Sequence, residues 1–187
     1  ASVRQMYCGL DFGTSNSTLG ATDARGAPML LPIEGDRSTI PSAVFFDFEQ
    51  DRTLFGRAAV TAYVGGADGR LLRALKSILG SDLMAESIRV KRRILPFAEI
   101  VGMFVRELRQ RGEMSLGKPL DQVVVGRPVR FVDDDDAADA RAQHQLETIV
   151  HASGFRQVEF QYEPIAAALD YERQVTHEEL GLVIDLG

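Results

Sequence analysis

Tyr7-Cys8-Gly9-Leu10-Asp11-Phe12, followed at once by Gly13-Thr14-Ser15-Asn16-Ser17, sets the architecture of this chain. Cys8, Leu10 and Phe12 alternate with Gly9 and Asp11, the period of a strand with one apolar face. The five residues that follow are turn formers, and residues 18–22 can pair back as a second strand. The chain therefore opens as a β-hairpin with a carboxylate, Asp11, at the end of an apolar strand. A carboxylate in that position is costly to bury unpaired and needs a cation or N–H donors. Gly13 permits close backbone approach, while Thr14, Ser15 and Asn16 offer backbone and side-chain donors. This combination suits a phosphate with its magnesium ion, the donors facing the oxygens and Asp11 holding metal-bound water. An Asx-type turn closing an ordinary hairpin would use the same residues, and the stretch by itself does not separate the two.

Downstream, Ile40-Pro41-Ser42-Ala43-Val44-Phe45-Phe46-Asp47-Phe48 resumes β character, with Pro41 at a strand start or edge. Residues 57–63 read as a short helix closed by Gly65-Gly66. Leu75-Lys76-Ser77-Ile78-Leu79-Gly80 fits neither period. Pro96 stands where a helix begins, and Ile100, Val101, Phe104, Val105 and Leu108 recur at helical spacing ahead of Gly112. Val123-Val124-Val125 is the β-branched run of a central strand. The four aspartates at 133–136 cannot all converge on one ion. They are expected at the N-terminus of a helix bearing Ala138, Ala142, Leu146, Ile149 and Val150, where carboxylates complement the macrodipole. Gly154 caps that helix, residues 158–162 form a strand, and Glu163-Pro164 opens an alanine-rich helix through Tyr171. Leu182-Val183-Ile184-Asp185-Leu186-Gly187 reads as a buried strand running into a turn. Such a strand needs neighbours on both sides, so the polypeptide is expected to continue. Strands alternating with helices in this order define an α/β class.

Composition narrows the chemistry. The 187 residues carry 21 basic and 27 acidic side chains, a net charge of -6, which argues against nonspecific binding to nucleic acid or an anionic membrane. Lys91-Arg92-Arg93 is the only basic triplet and is expected on a solvated face. Cys8 is the single cysteine, so no intrachain disulfide or cysteine-rich zinc site forms, and its apolar neighbours point to a buried thiol. No apolar run approaches the roughly 18 residues of a membrane span, and a cytoplasmic location is expected. There is no Gly-x-x-x-x-Gly-Lys-Ser/Thr loop, and no Gly-x-Gly-x-x-Gly after a strand. His144 and His151 lie seven apart on one expected helix, about 10 Å in rise, too far to share a metal. No serine sits in a Gly-x-Ser-x-Gly elbow.

Six segments, taken in order, resemble one family, the DnaK-type 70-kilodalton heat-shock chaperones in their actin-like ATPase domain. Residues Leu10-Asp11-Phe12-Gly13-Thr14-Ser15-Asn16-Ser17 resemble its first phosphate motif, Ile40-Pro41-Ser42 the following strand, and Phe55-Gly56-Arg57-Ala58-Ala59 the next segment. Leu75-Lys76-Ser77-Ile78-Leu79-Gly80 resembles the segment with the catalytic lysine, and Glu163-Pro164-Ile165-Ala166-Ala167-Ala168-Leu169 the connecting helix. The stretch at 182–187, whose Ile184-Asp185-Leu186-Gly187 repeats the pattern of Leu10-Asp11-Phe12-Gly13, resembles the start of the second phosphate motif. Gly126-Arg127-Pro128, Gly154-Phe155-Arg156 and Phe160-Gln161-Tyr162-Glu163-Pro164 look most like the YegD-type divergent relatives.

The resemblance implies an actin-like (ribonuclease H-like) fold, with a mixed sheet and flanking helices forming lobe I of a nucleotide-binding domain. Its core would take in approximately residues 5–35 and 115–187 and an inserted part residues 36–114, the second lobe being absent. Asp11 and Asp185 would hold the magnesium shell through water, and Gly13, Thr14, Ser15 and Asn16 would contact phosphate. Lys76 would sit near the γ-phosphate and attacking water, with Glu163 and Asp185 assisting catalysis. ATP or ADP with Mg2+ is the implied cofactor pair, and nucleotide, co-chaperones and client protein are the implied partners. Hydrolysis is expected only with the second lobe. One departure stands out: Gly126-Arg127 replaces the family's small apolar pair ahead of Pro128. Two alternatives on the same fold are a non-hydrolysing nucleotide-binding or interaction scaffold and a sugar kinase.

Overall fold

The structure is a computed structural model that describes residues 7–163. Strand β1 (Tyr7–Phe12) alternates exposed and buried positions, with Cys8, Leu10 and Phe12 inward and Asp11 outward. Strand β2 (Asn16–Thr22) returns antiparallel, Gly9 opposite Gly20 and Phe12 opposite Ser17. The turn is shorter than the sequence suggests: Asn16 and Ser17 already belong to β2, leaving residues 13–15 to reverse the chain. Strands β3 (Pro28–Leu30) and β4 (Thr39–Pro41) both pair with β2.

The run from Ile40 to Phe48 is two strands rather than one. Pro41 has no N–H to donate, the Ser42 N–H is used by the Ser15 carbonyl at 3.0 Å, and pairing resumes with different partners. Strand β5 (Val44–Asp47) lies between β6 (Arg52–Phe55) and β7 (Gly69–Leu72) in a separate antiparallel sheet. Helix α1 (Gly56–Val64) packs on that sheet through Ala59, against Ala43 and Phe45. The unassigned segment around Lys76 is a single 3₁₀ turn, Leu75–Ile78, followed by a second, Asp82–Ala85. The hairpin β8 (Ser87–Val90) and β9 (Arg93–Pro96) exposes Lys91, Arg92 and Arg93 at its tip, the solvated face expected of the basic triplet.

Helix α2 (Phe97–Leu116) buries Ile100, Val101, Phe104, Val105 and Leu108, the stripe its periodicity demands. It does not stop at Gly112. That residue is needed for its lack of a side chain, since a Cβ would stand 2.9 Å from both Leu19 and Leu120, and the helix ends instead at Gly117 with φ 66°. Strand β10 (Gln122–Arg127) then enters parallel to β1. Helix α3 (Asp136–Ala152) follows, its first turn capped by the Asp135 carboxylate, which accepts from the Ala138 N–H at 2.8 Å. Strand β11 (Gln157–Tyr162) completes the main sheet, parallel to β10, in the order β11-β10-β1-β2-β3 with β4 also on β2. The alanine-rich helix expected beyond Glu163 and the strand expected at 182–187 lie outside the described residues.

Both long helices cover one face of this mixed sheet. Phe12 of β1 meets Phe104 of α2 with ring centroids 5.9 Å apart, and both are fully buried, contributing about 2 kcal/mol or more each. The opposite face carries Gly9, Asp11, Thr18, Gly20, Val124 and Gly126. Small residues there leave room above the sheet. No helix among the described residues is long and apolar enough to cross a membrane.

Candidate functional site

The sheet face that no described helix covers forms the floor of an open cleft of about 330 Å3, lined among others by Gly9, Asp11, Thr18, Gly126 and Glu163. Period-two alternation places Asp11 here, because its neighbours Leu10 and Phe12 are committed to the core. Asp11 is solvent-exposed on this face.

Beside it, the turn at 13–15 is fixed from beneath by two buried serines. The Ser42 hydroxyl donates to the Gly13 carbonyl at 2.7 Å and shares a 2.8 Å hydrogen bond with the Ser17 hydroxyl. With the Ser42 N–H on the Ser15 carbonyl, the acceptors of the turn point inward. Thr14, Ser15 and Asn16 are left exposed next to Asp11. Gly13 has no substitute here: a Cβ would stand 2.1 Å from the Asn16 carbonyl oxygen. Neither Ser17 nor Ser42 stands out in the sequence. Their only signal is a hydroxyl at an inward position of a strand, where a polar group needs a partner.

Across the cleft, the Lys76 ammonium meets the Glu163 carboxylate at 2.8 Å, although the two residues are 87 positions apart. Both are partly buried, with 12% and 27% of their side chains exposed, so each is the other's principal compensation for lost hydration. Lys76 is delivered by the 3₁₀ turn after Ala74, which adopts a left-handed φ of 52°. The turn closes at Gly80, φ 74°, whose N–H donates to the Gln145 side chain of α3 at 2.9 Å. Glu163 follows directly on β11. It lies over Gly126, where a Cβ would already touch the Glu163 Cγ at 3.4 Å. The structure thus brings Asp11 and Glu163 to one cleft and joins Lys76 to it through Glu163. Thr14, Ser15 and Asn16 flank Asp11 without lining the cleft. Asp185 lies outside the described residues.

Other polar candidates have structural roles. Arg57 holds Glu34 with its guanidinium at 2.5 Å and its backbone N–H at 2.9 Å, tying α1 to the segment before β4. Asp136 pairs with Arg130, and no cluster of three metal-binding side chains occurs among the described residues. Burial pushes the Cys8 thiol up to about 12, so it stays protonated and takes no part in cleft chemistry. With the Glu163 carboxylate engaged by Lys76, Asp11 above a floor of small residues suits a cation held through water rather than by direct multidentate ligation.

In class, this is a mixed-sheet α/β unit with a largely apolar cleft, bearing the carboxylates of Asp11 and Glu163, on the sheet face that no described helix covers. No family model matches the sequence. The chain is 32% identical to the Chaperone protein DnaK 3 of Synechococcus sp., and 32% identical to the Chaperone protein dnaK1 of Synechococcus elongatus. Each alignment covers 96% of this chain and 29% of the relative, so the chain spans under a third of the length of the chaperones it matches. The likeness is to 70-kilodalton heat-shock chaperones, and the mixed sheet with its helices is consistent with a lobe of a nucleotide-binding domain of that kind.

Proposed function

We propose that this chain is the first lobe of an actin-like ATP-binding domain of the heat-shock chaperone kind, which forms a complete Mg-ATP site with a second lobe carried further along a longer polypeptide. The Lys76–Glu163 contact at a cleft floored by Asp11 carries this reading. In it, residues 5–35 and 115–187 make up the core and 36–114 the insertion, with β4 and α2 packing both ends of the insertion against the core. The finer likeness to YegD-type relatives, a cytoplasmic location, and interactions with co-chaperones and client protein belong to the same proposal.

Each residue has a defined task. Asp11, with Asp185, would hold the water shell of a magnesium ion, which when bound neutralises phosphate charge. The exposed donors of Gly13, Thr14, Ser15 and Asn16 would face phosphate oxygens. Lys76 directs a partly desolvated ammonium at the charge that develops during phosphoryl transfer, where fixed cations are most effective. Glu163 fixes that ammonium and orients the attacking water.

The decisive test is single-turnover hydrolysis in the complete polypeptide. Lys76→Ala is expected to slow it by about 100-fold, the scale of losing one transition-state donor, and an unchanged rate removes the catalytic assignment. For the 187-residue chain alone, calorimetric titration with Mg-ATP is expected to show weak binding. Micromolar affinity would mean that the second lobe is not required.

A further inference from the structure

The cleft face does not use Arg127, yet no cation in the described residues is more completely engaged. It is 7% exposed at the end of β10, next to Gly126. Its Nε donates to the Pro128 carbonyl at 2.9 Å and its Nη2 to the Val129 carbonyl at 3.1 Å and to both Asp139 oxygens at 2.9 and 3.2 Å. Its Nη1 donates to the Gln143 side chain. The guanidinium also stacks on Phe131, 4.9 Å from the ring centroid, and on Tyr162, at 5.3 Å. A buried guanidinium is retained at such a position only if nearly all its donors are matched, and here they are.

What the fork joins is informative. Tyr162 is the cross-strand neighbour of Arg127 and immediately precedes Glu163. Asp139 and Gln143 lie on α3. The same helix supports the other side of the cleft: Gln145 accepts from the Gly80 N–H that closes the Lys76 turn, and a Cβ on Gly80 would stand 2.9 Å from the Ala142 Cβ and 3.0 Å from the Ala138 carbonyl. Helix α3 therefore touches both the turn carrying Lys76 and, through Arg127, the strand end carrying Glu163.

We infer that Arg127 is a positioning residue that sets Glu163 against Lys76 by anchoring the end of β11 to helix α3. The inference deepens the proposed ATPase reading and, for its catalytic consequence, rests on it. The geometric part needs no nucleotide. A side chain of different shape at 127 would free Tyr162, let the end of β11 shift relative to α3, and break the 2.8 Å contact.

The chain has only three lysines, Lys76, Lys91 and Lys118, so lysine-selective 15N labelling yields three ammonium resonances to follow by NMR. In the wild-type protein the Lys76 resonance is expected to be protected from exchange. Arg127→Met should remove that protection, as Glu163→Gln does, while Lys91 and Lys118 stay unchanged. Retained protection in a folded Arg127→Met protein overturns the inference. If that variant fails to fold, Arg127→Lys keeps a cation near Asp139 but lacks the planar fork and stack. Loss of Lys76 protection there supports the inference, and retention overturns it. In the complete polypeptide, Arg127→Met should slow single-turnover hydrolysis about 10-fold with nucleotide affinity unchanged, less than the roughly 100-fold cost of misplacing a reacting group by about 1 Å. In a Glu163→Gln background it should cost nothing further, whereas a general structural role would give additive losses. Because the NMR readout is independent of ATP, failure of the ATPase reading leaves it standing, and failure of the Arg127 inference leaves the Lys76→Ala test intact.

Discussion

The two sides of the cleft are built in opposite ways. The Asp11 side is a local hairpin, in which β-period places the carboxylate and backbone groups at 13–15 make the turn, with two hydroxyls holding it from beneath. The Lys76–Glu163 side is assembled from residues 87 apart, and side chains on a third element, α3, hold both partners. Local backbone construction tolerates almost no added atoms. Long-range side-chain construction tolerates change gradually, since several contacts share the task.

The largest effect expected from breaking this contrast is at Gly13. Adding one methyl group forces a carbon to within 2.1 Å of the Asn16 carbonyl, so the backbone of the turn must move. Gly13→Ala should lower stability to urea denaturation by about 3 kcal/mol, the upper range for overpacking a rigid site. A loss below about 1 kcal/mol would show that the turn yields easily and that the two sides do not differ in kind.

Ser42→Ala is expected to act on the same side but more mildly. It leaves the Ser17 hydroxyl and the Gly13 carbonyl each short of a partner in a buried setting, which costs about 2 kcal/mol. Ser42→Ala combined with Ser17→Ala should cost less than the sum of the two, because both then remove one shared bond. Urea midpoints of the three variants measure this, and strict additivity would mean that the serines support the turn independently.

Sequence reading reached the outward Asp11 and the turn after it because alternation and turn formers are local, but it missed Ser42, which reaches the Gly13 carbonyl from 29 residues away. Local signals also suffice for α2, whose apolar stripe is internal to the helix, and for the aspartates at 133–136, where Asp135 serves as the cap. It placed a helix end at Gly112, where the requirement is not a break but a close approach of Leu19 and Leu120 from elsewhere in the chain. It joined residues 40–48 into one strand because the Ser15 carbonyl that captures the Ser42 N–H is 27 residues away. Lys76 and Glu163 were named through resemblance alone, since no spacing rule unites a 3₁₀ turn with a strand end 87 residues on. Arg127 registered only through resemblance, as part of a YegD-like segment and as a departure from the wider family pattern. Its acceptors are spread over a loop, a helix and a neighbouring strand, and no local period brings those together.

The smallest expected effect separates the two modes of construction by pH. Burial alone would raise the Asp139 carboxyl, but hydrogen bonds from Arg127 and from the Phe131 N–H, the latter at 2.6 Å, outweigh it and hold the group below the ordinary carboxylate value. Asp47 is likewise held low, chiefly by the Gln50 N–H, with further help from Arg52 and the Glu49 N–H. A group whose folded pKa is depressed contributes stability that is fully present above its unfolded value, about 3.9 for an aspartate, and is lost as pH falls through the folded one. Both aspartates should therefore steepen the loss of stability below about pH 4. Arg127→Met should flatten the Asp139 share and leave that of Asp47 intact, because Asp47 depends on its own turn and Asp139 on a cation twelve residues away. Urea midpoints between about pH 5 and pH 3 for the wild type, Arg127→Met and Asp139→Asn test this, with the two variants expected to share one shallower slope. If Arg127→Met instead kept the wild-type slope, Asp139 would be held by the Phe131 and Val132 N–H groups, and this support behind the cleft would be backbone-built like the Asp11 side.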